Sequence, residues 1–276
     1  MKPDELRELA ANSHFIPGIY NYCDRWCERC AFSHRCLNYA MERAEDDGDL
    51  AARDLSNQKF WSKLHQRFQD TIEMVRADAK ARGIDLDERK LQADVMAQER
   101  LERRRASRNL PLARAAKSYA DAVTKWFESA GPIFKAKGLE LETLARMETG
   151  NPEAEAAELT EFVGVIRWYQ HFIYVKLSRA IGSRASEELE TDEEMKAFPK
   201  DSDGSAKIAL IAMDRSIAAL SGLRAALAGD GADEILDFLA QLAAIRRETE
   251  KLFPQSRAFV RPGFDEERAP ISSPEM

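Results

Sequence analysis

The chain has 276 residues, 44% of them hydrophobic and 32% charged, with a formal charge of -7 and a pI near 5.4. That is enough apolar material for a sizeable core, while the acidic balance excludes a global attraction to nucleic acid or anionic membranes. The opening residues carry Asp4, Glu5, Arg7 and Glu8 where a signal peptide needs an apolar run, and no stretch approaches the roughly 18 apolar residues of a membrane span, so a soluble, cytoplasmic protein is expected.

Only 13 Gly and 10 Pro are present, and Ala, Leu, Glu and Arg dominate long segments with helical spacing, which predicts an all-α fold. A short helix is expected over residues 3–11, with Pro3 at its start. Pro17-Gly18 then marks a turn, and Phe15, Ile16, Ile19, Tyr20 and Tyr22 are apolar enough to pack the segment that follows onto the body. From Asn57 to about Arg82, Phe60, Trp61, Leu64, Phe68, Ile72 and Val75 recur every three or four residues and describe an amphipathic helix stopped by Gly83.

Residues 87–107 read as a polar, Arg- and Glu-rich helix that projects from the body. Helices are expected at Pro111–Ser129, ended by Ala130-Gly131-Pro132, and at residues 139–147. The longest, residues 152–182, is apolar over more than half its circumference and predicts the centre of a bundle. An acidic loop over 184–203 follows, then helices at 205–228 and 232–252 joined by Gly229-Asp230-Gly231 as an antiparallel hairpin. The expected organisation is an N-terminal cysteine-rich metal-binding module (1–55), a helical bundle of about five long helices (56–253) with a projecting segment at 85–108, and a flexible tail (254–276).

All four cysteines, Cys23, Cys27, Cys30 and Cys36, fall in the stretch NYCDRWCERCAFSHRC with the spacing C-x3-C-x2-C-x5-C. In a reducing compartment such a cluster reads as metal thiolates rather than disulfides. On one straight helix, Cys23 and Cys30 would lie about 10 Å apart along the axis, too far for the sulfurs of a single zinc ion. A cubane places each thiolate on a different iron and tolerates a wider spread, so a [4Fe-4S] cluster leads and zinc is the alternative. His14 and His34 are nearby substitute ligands, and Arg25, Arg29 and Arg35 are placed to offset thiolate charge.

The run CERCAFSHRC, Cys27 to Cys36, resembles the C-x2-C-x5-C ligand run that holds a [4Fe-4S] cluster in RecB-like iron-sulfur nucleases, such as the CRISPR-adaptation exonucleases; similar runs occur in the auxiliary-cluster domains of radical enzymes. The resemblance covers this run alone and implies iron-sulfur binding, with no activity attached. In those nucleases the fourth ligand lies far away in sequence, whereas Cys23 is adjacent here, and no strand-rich segment carries their acidic and lysine residues. The C-x3-C-x2-C part also matches the radical S-adenosylmethionine triplet, but the chain shows no α/β barrel, and Cys36 would fill the coordination site that chemistry leaves open.

Other candidates have plainer readings. His171 falls on the polar stripe of the central helix, and His65 borders an apolar stripe with no carboxylate on its side. Neither is preceded by Glu at the three-residue spacing of a di-iron bundle. Glu158 and Glu161 fall within the apolar arc, where structural ion pairs are expected, with Lys176 or Arg179 reaching partners on other helices. The basic run from Arg100 to Lys117 aligns Arg100, Arg104 and Arg108 as a phosphate track, interrupted by Glu99 and Glu102.

The sequence thus predicts a cytosolic metal-binding protein whose cluster is structural or redox-sensing, on a helical scaffold that binds a protein partner. The alternatives are an oxidoreductase or electron carrier using the cluster, a structural zinc protein, and a nucleic-acid-binding protein using the Arg100 to Lys117 patch.

Overall fold

The structure is a computed structural model that describes residues 8–44, 56–86, 105–189, 198–227 and 232–265, together with 54, 98, 101, 102 and 193. Among these residues it is all-α, with no strand. The chain divides into two compact units, one of residues 1–101 with 262–276 and one of residues 102–261.

In the first unit, residues 8–11 are helical and are followed by three successive 3₁₀ turns, Ile19–Tyr22, Cys27–Arg29 and Ser33–Arg35, and then by α1 (Leu37–Ala44). Its long helix is α2 (Gln58–Ala81), capped where the Asn57 side chain accepts the Lys59 N–H at 3.0 Å. Gly83, at φ 66, ends that helix with the left-handed residue that helix termini favour. The apolar stripe anticipated on α2 is real but open: Trp61, Phe68, Ile72 and Val75 are all exposed. Of the segment expected to project at 85–108, residues 87–97, 99, 100, 103 and 104 lie outside the described residues; 105–108 are helical and belong to the second unit.

The second unit is built from α3 (Pro111–Ser129), α4 (Gly131–Arg146), α5 (Pro152–Glu187), α6 (Asp201–Ala226) and α7 (Ala232–Leu252). Helices α3, α5, α6 and α7 pack in a closed ring, each against two others, and so form a four-helix bundle; α4 lies against α5 and α3. The buried positions follow the helical period: Ala113, Ala116, Tyr119 and Ala120, Val123 and Trp126 on α3, and Ile166, Tyr169, Ile173, Leu177 and Ala180 on α5. Helix α6 is Ala-rich on its inner side, and at Gly222 the approach to α5 is so close that a Cβ there would sit 2.4 Å from the Phe162 ring.

Three boundaries differ from the sequence expectation. Gly131-Pro132 starts α4 instead of separating helices, since a proline in the first turn costs no hydrogen bond. The acidic loop expected at 184–203 is shorter, because α5 runs to Glu187, helped by an Arg184–Glu188 pair at 2.9 Å, and α6 begins at Asp201. The two helices are tied at this end: Glu187 accepts from the Ser202 N–H (2.9 Å) and hydroxyl (2.5 Å), while Arg179 pairs with Asp201 at 2.7 Å. The link at 228–231 lies outside the described residues.

The segment expected as a flexible tail is structured as far as residue 265. Phe253 and Ser256 are buried, a 3₁₀ turn spans Ser256–Ala258, and Lys207 donates to the Phe259 carbonyl. Arg257 pairs with Asp214 (2.6 Å) and Glu250 (2.8 Å), and Arg246 also reaches Asp214 (3.1 Å). Among the described residues no helix is long and apolar enough to cross a membrane.

Candidate metal centre

The cysteine segment is not a straight helix. Cys23, Cys30 and Cys36 each stand directly after one of the three 3₁₀ turns, in extended backbone, and Cys27 opens the second turn. Arg25, at φ 61, reverses the chain between Cys23 and Cys27. The chain therefore folds back on itself between successive thiols, which removes the axial separation a continuous helix would impose.

All four cysteines line one small cavity of about 20 Å³, together with Ile19, Tyr20, Trp26, Ser33 and Phe264. All four are half-buried and free of disulfides. Two sulfurs already have hydrogen-bond partners: the Phe32 N–H donates to Cys30 Sγ at 3.4 Å, and the Cys23 thiol lies 3.6 Å from the Tyr20 carbonyl. An N–H aimed at sulfur is the kind of outer contact that stabilises a bound thiolate.

Burial pushes the Cys27 thiol up to about 11, with Cys23, Glu42, Cys36 and Cys30 adding to the rise. Burial likewise raises Cys30, against the opposing pull of the Phe32 N–H. Thiols held this close resist carrying several negative charges without a cation, so a thiophilic cation would have to displace their protons to be bound. The donor set fits a thiophilic metal or an iron-sulfur cluster. Among the described residues no three His, Cys, Asp or Glu side chains are disposed to hold a single metal ion, so the four thiols surround the cavity without closing on one point.

The neighbours expected from sequence divide. Arg25 and Asp24 line the cavity. Arg29 stacks over the Trp26 ring at 3.8 Å, and Arg35 donates to the His14 carbonyl at 3.2 Å. His14 and His34 stand beside each other, with His14 Nε2 3.1 Å from the His34 carbonyl, and neither lines the cavity.

Sequence reasoning missed the far wall. Gly263 lies at φ 74, and a Cβ there would come 2.8 Å from Ile16 Cδ1 and 3.1 Å from Ile19 Cδ1, so the residues after Arg261 press directly on the segment preceding the cysteines. Phe264 then meets Phe32 edge to face at 5.1 Å and closes one side of the cavity. The signal was the Pro262-Gly263-Phe264 tripeptide, a turn followed by an aromatic, inside a segment otherwise poor in large apolar residues.

The remaining candidates lie on the helices. His65 is exposed on α2, and His171 is exposed on α5 with Nε2 3.3 Å from the Thr124 hydroxyl. Glu158 and Glu161 are exposed although the sequence pattern sets them within the apolar arc; toward its N-terminal end α5 buries only Leu159. Arg179 does make the interhelical pair anticipated for it. Of the basic run, Arg105, Arg108, Arg114 and Lys117 are exposed, and Arg100, Arg103 and Arg104 lie outside the described residues. Compared with protein-family models, curated proteins and solved structures, the chain shows no significant match.

Proposed function

We propose that this is a metal-binding protein whose Cys23, Cys27, Cys30 and Cys36 hold a [4Fe-4S] cluster, structural or redox-sensing, with the helical body serving as a partner-binding scaffold. The observation that carries the reading is the convergence of all four thiols on one cavity walled by Ile19, Tyr20, Trp26 and Phe264. When bound, such a cluster supplies one-electron redox chemistry. The chain's own contribution is to supply four sulfurs at the ends of short turns, to aim the Phe32 N–H at one of them, and to keep water off one side with Phe264. An electron-carrying role rests on the same residues and differs only in requiring a reversible change of cluster charge.

Zinc is the second reading, and the size of the cavity favours it. A space of about 20 Å³ is of the order of a single ion, which would draw the four thiols inward onto one point, whereas a cubane must spread them. Anaerobic purification of the untagged protein, followed by its visible spectrum and by iron, acid-labile sulfide and zinc analysis, separates the two. About four iron and four sulfide per chain supports the cluster, with Cys30→Ser losing the colour while far-UV circular dichroism is retained. One zinc per chain establishes the second reading, and a metal-free protein overturns both.

A further inference from the structure

On the bundle, far along the chain from the cysteines, α3 and α7 part to leave a cavity of about 760 Å³. Its walls are mainly Leu112 and Ala115 on α3, Ala244, Ile245 and Leu252 on α7, and Ile181 on α5. The size lies within the ~300–1,000 Å³ of small-molecule sites, and the lining is predominantly apolar. Two alanines, Ala115 and Ala244, stand where larger side chains would fill the space. At the rim, Glu248 and Lys251 neutralise each other at 2.7 Å.

At Ser118 this apolar room meets a second recess of about 370 Å³, lined by Arg114, Lys117, Asp121, Ala122 and Lys125; Ser118 lines both. Lys117 and Asp121 pair at 2.5 Å, so the excess charge of the recess comes from Arg114 and Lys125. An open apolar groove that runs into a cationic recess matches a molecule with an apolar chain and a negative head.

We propose that the groove between α3 and α7 binds a single-chain anionic amphiphile, its chain packed against Leu112, Ala115, Ala244 and Ile245 and its carboxylate-type head drawn, past Ser118, to the net positive recess that Arg114 and Lys125 flank. The head must be negative, because a cationic head would meet a recess of net positive charge. The chain must be apolar, because few lining groups other than Ser118 and Gln241 offer an uncharged hydrogen bond.

Isothermal titration of the full chain with dodecanoate and with dodecyltrimethylammonium, both below their micelle concentrations, tests this because the two probes carry saturated chains of nearly equal length and heads of opposite charge. Dodecanoate is expected to bind near one per chain and the cation roughly tenfold or more weakly, the discrimination of a charge-assisted hydrogen bond. Replacing both Arg114 and Lys125 by Glu should erase that preference, and Ala244→Trp, which fills the groove, should abolish binding of dodecanoate. Ala115→Phe fills the facing wall and serves if the Trp variant loses its helical circular dichroism. Equal binding of the two probes, binding of neither, or full affinity in a folded groove-filling variant overturns the proposal.

Discussion

Gly222 offers the sharpest test of how α5 and α6 are packed. A methyl group added there would lie 2.4 Å from Phe162 Cζ, 2.6 Å from Cε2 and 2.8 Å from Cε1. Carbon atoms rest at about 3.5–4.0 Å, so the ring tip must retreat by more than about 1 Å or the helices must separate. Overpacking of this kind costs about 1–3 kcal/mol, whereas replacing glycine by alanine inside a helix gains about 1 kcal/mol. Gly222→Ala alone should therefore leave stability unchanged or lower it by up to about 2 kcal/mol, the difference between those two effects. In a Phe162→Ala background the obstruction is gone, and the same substitution should stabilise by about 1 kcal/mol. Urea unfolding of the full chain, followed by far-UV circular dichroism in all four members of the cycle, gives the coupling, expected at about 1–3 kcal/mol. If Gly222→Ala stabilises equally in both backgrounds, the close approach of the two helices at this point is refuted.

Gly263→Ala places an L-residue at φ 74 and its Cβ 2.8 Å from Ile16; left-handed backbone costs about 1–2 kcal/mol and the overlap about 1–3 kcal/mol. Amide hydrogen exchange over residues 16–36 should accelerate in that variant, and an unchanged pattern would show that the segment after Arg261 does not brace the cysteine turns. Tyr119→Phe should be neutral or stabilising, by up to about 1–3 kcal/mol, because the Tyr119 hydroxyl is fully buried without a hydrogen-bond partner among the described residues; a lower thermal midpoint would reveal a partner for it. Burial, and then the Glu187 carboxylate, raise Asp203 above its ordinary value. Its contribution to stability is then full below the unfolded carboxyl value and lost as pH rises through the folded one. Asp203→Asn should accordingly raise the urea midpoint at neutral pH and lose that advantage in acid below about pH 3; a gain independent of pH would contradict the assignment.

The bundle was largely legible because its helices announce themselves locally. Pro111 and Pro152 open helices where proline is harmless, and the apolar period fixes the inner faces of α3 and α5; in the first unit, likewise, Asn57 caps α2 and Gly83 ends it. The same local grammar misled at Gly131-Pro132, since a turn dipeptide and a helix start share those residues. It also misled at Glu187 and Glu188, where acidity suggested solvated loop although an i,i+4 partner, Arg184, was in place. The four cysteines were recognisable as a group from spacing alone, but their backbone was not. Offsets of four and three suit a helix, and only the left-handed conformation at Arg25, which the residue type does not advertise, shows that the chain turns instead. Phe264 was marked only by its turn, and its place was missed for another reason: periodicity reports on neighbours within an element and carries no information about which distant segment will cover a given face.

That distance between Phe264 and the thiols orders events during synthesis. The cysteines are made first and the residue that walls their cavity more than two hundred positions later, after the entire four-helix bundle. On the ribosome the thiols therefore emerge without their cover and stay open to solvent throughout translation of the bundle, and the door shuts only when Pro262, Gly263 and Phe264 arrive. Thiol reagents should reach the nascent cysteines more easily than those of the finished chain, and a chain stopped just short of Pro262 would keep the interval of access open indefinitely.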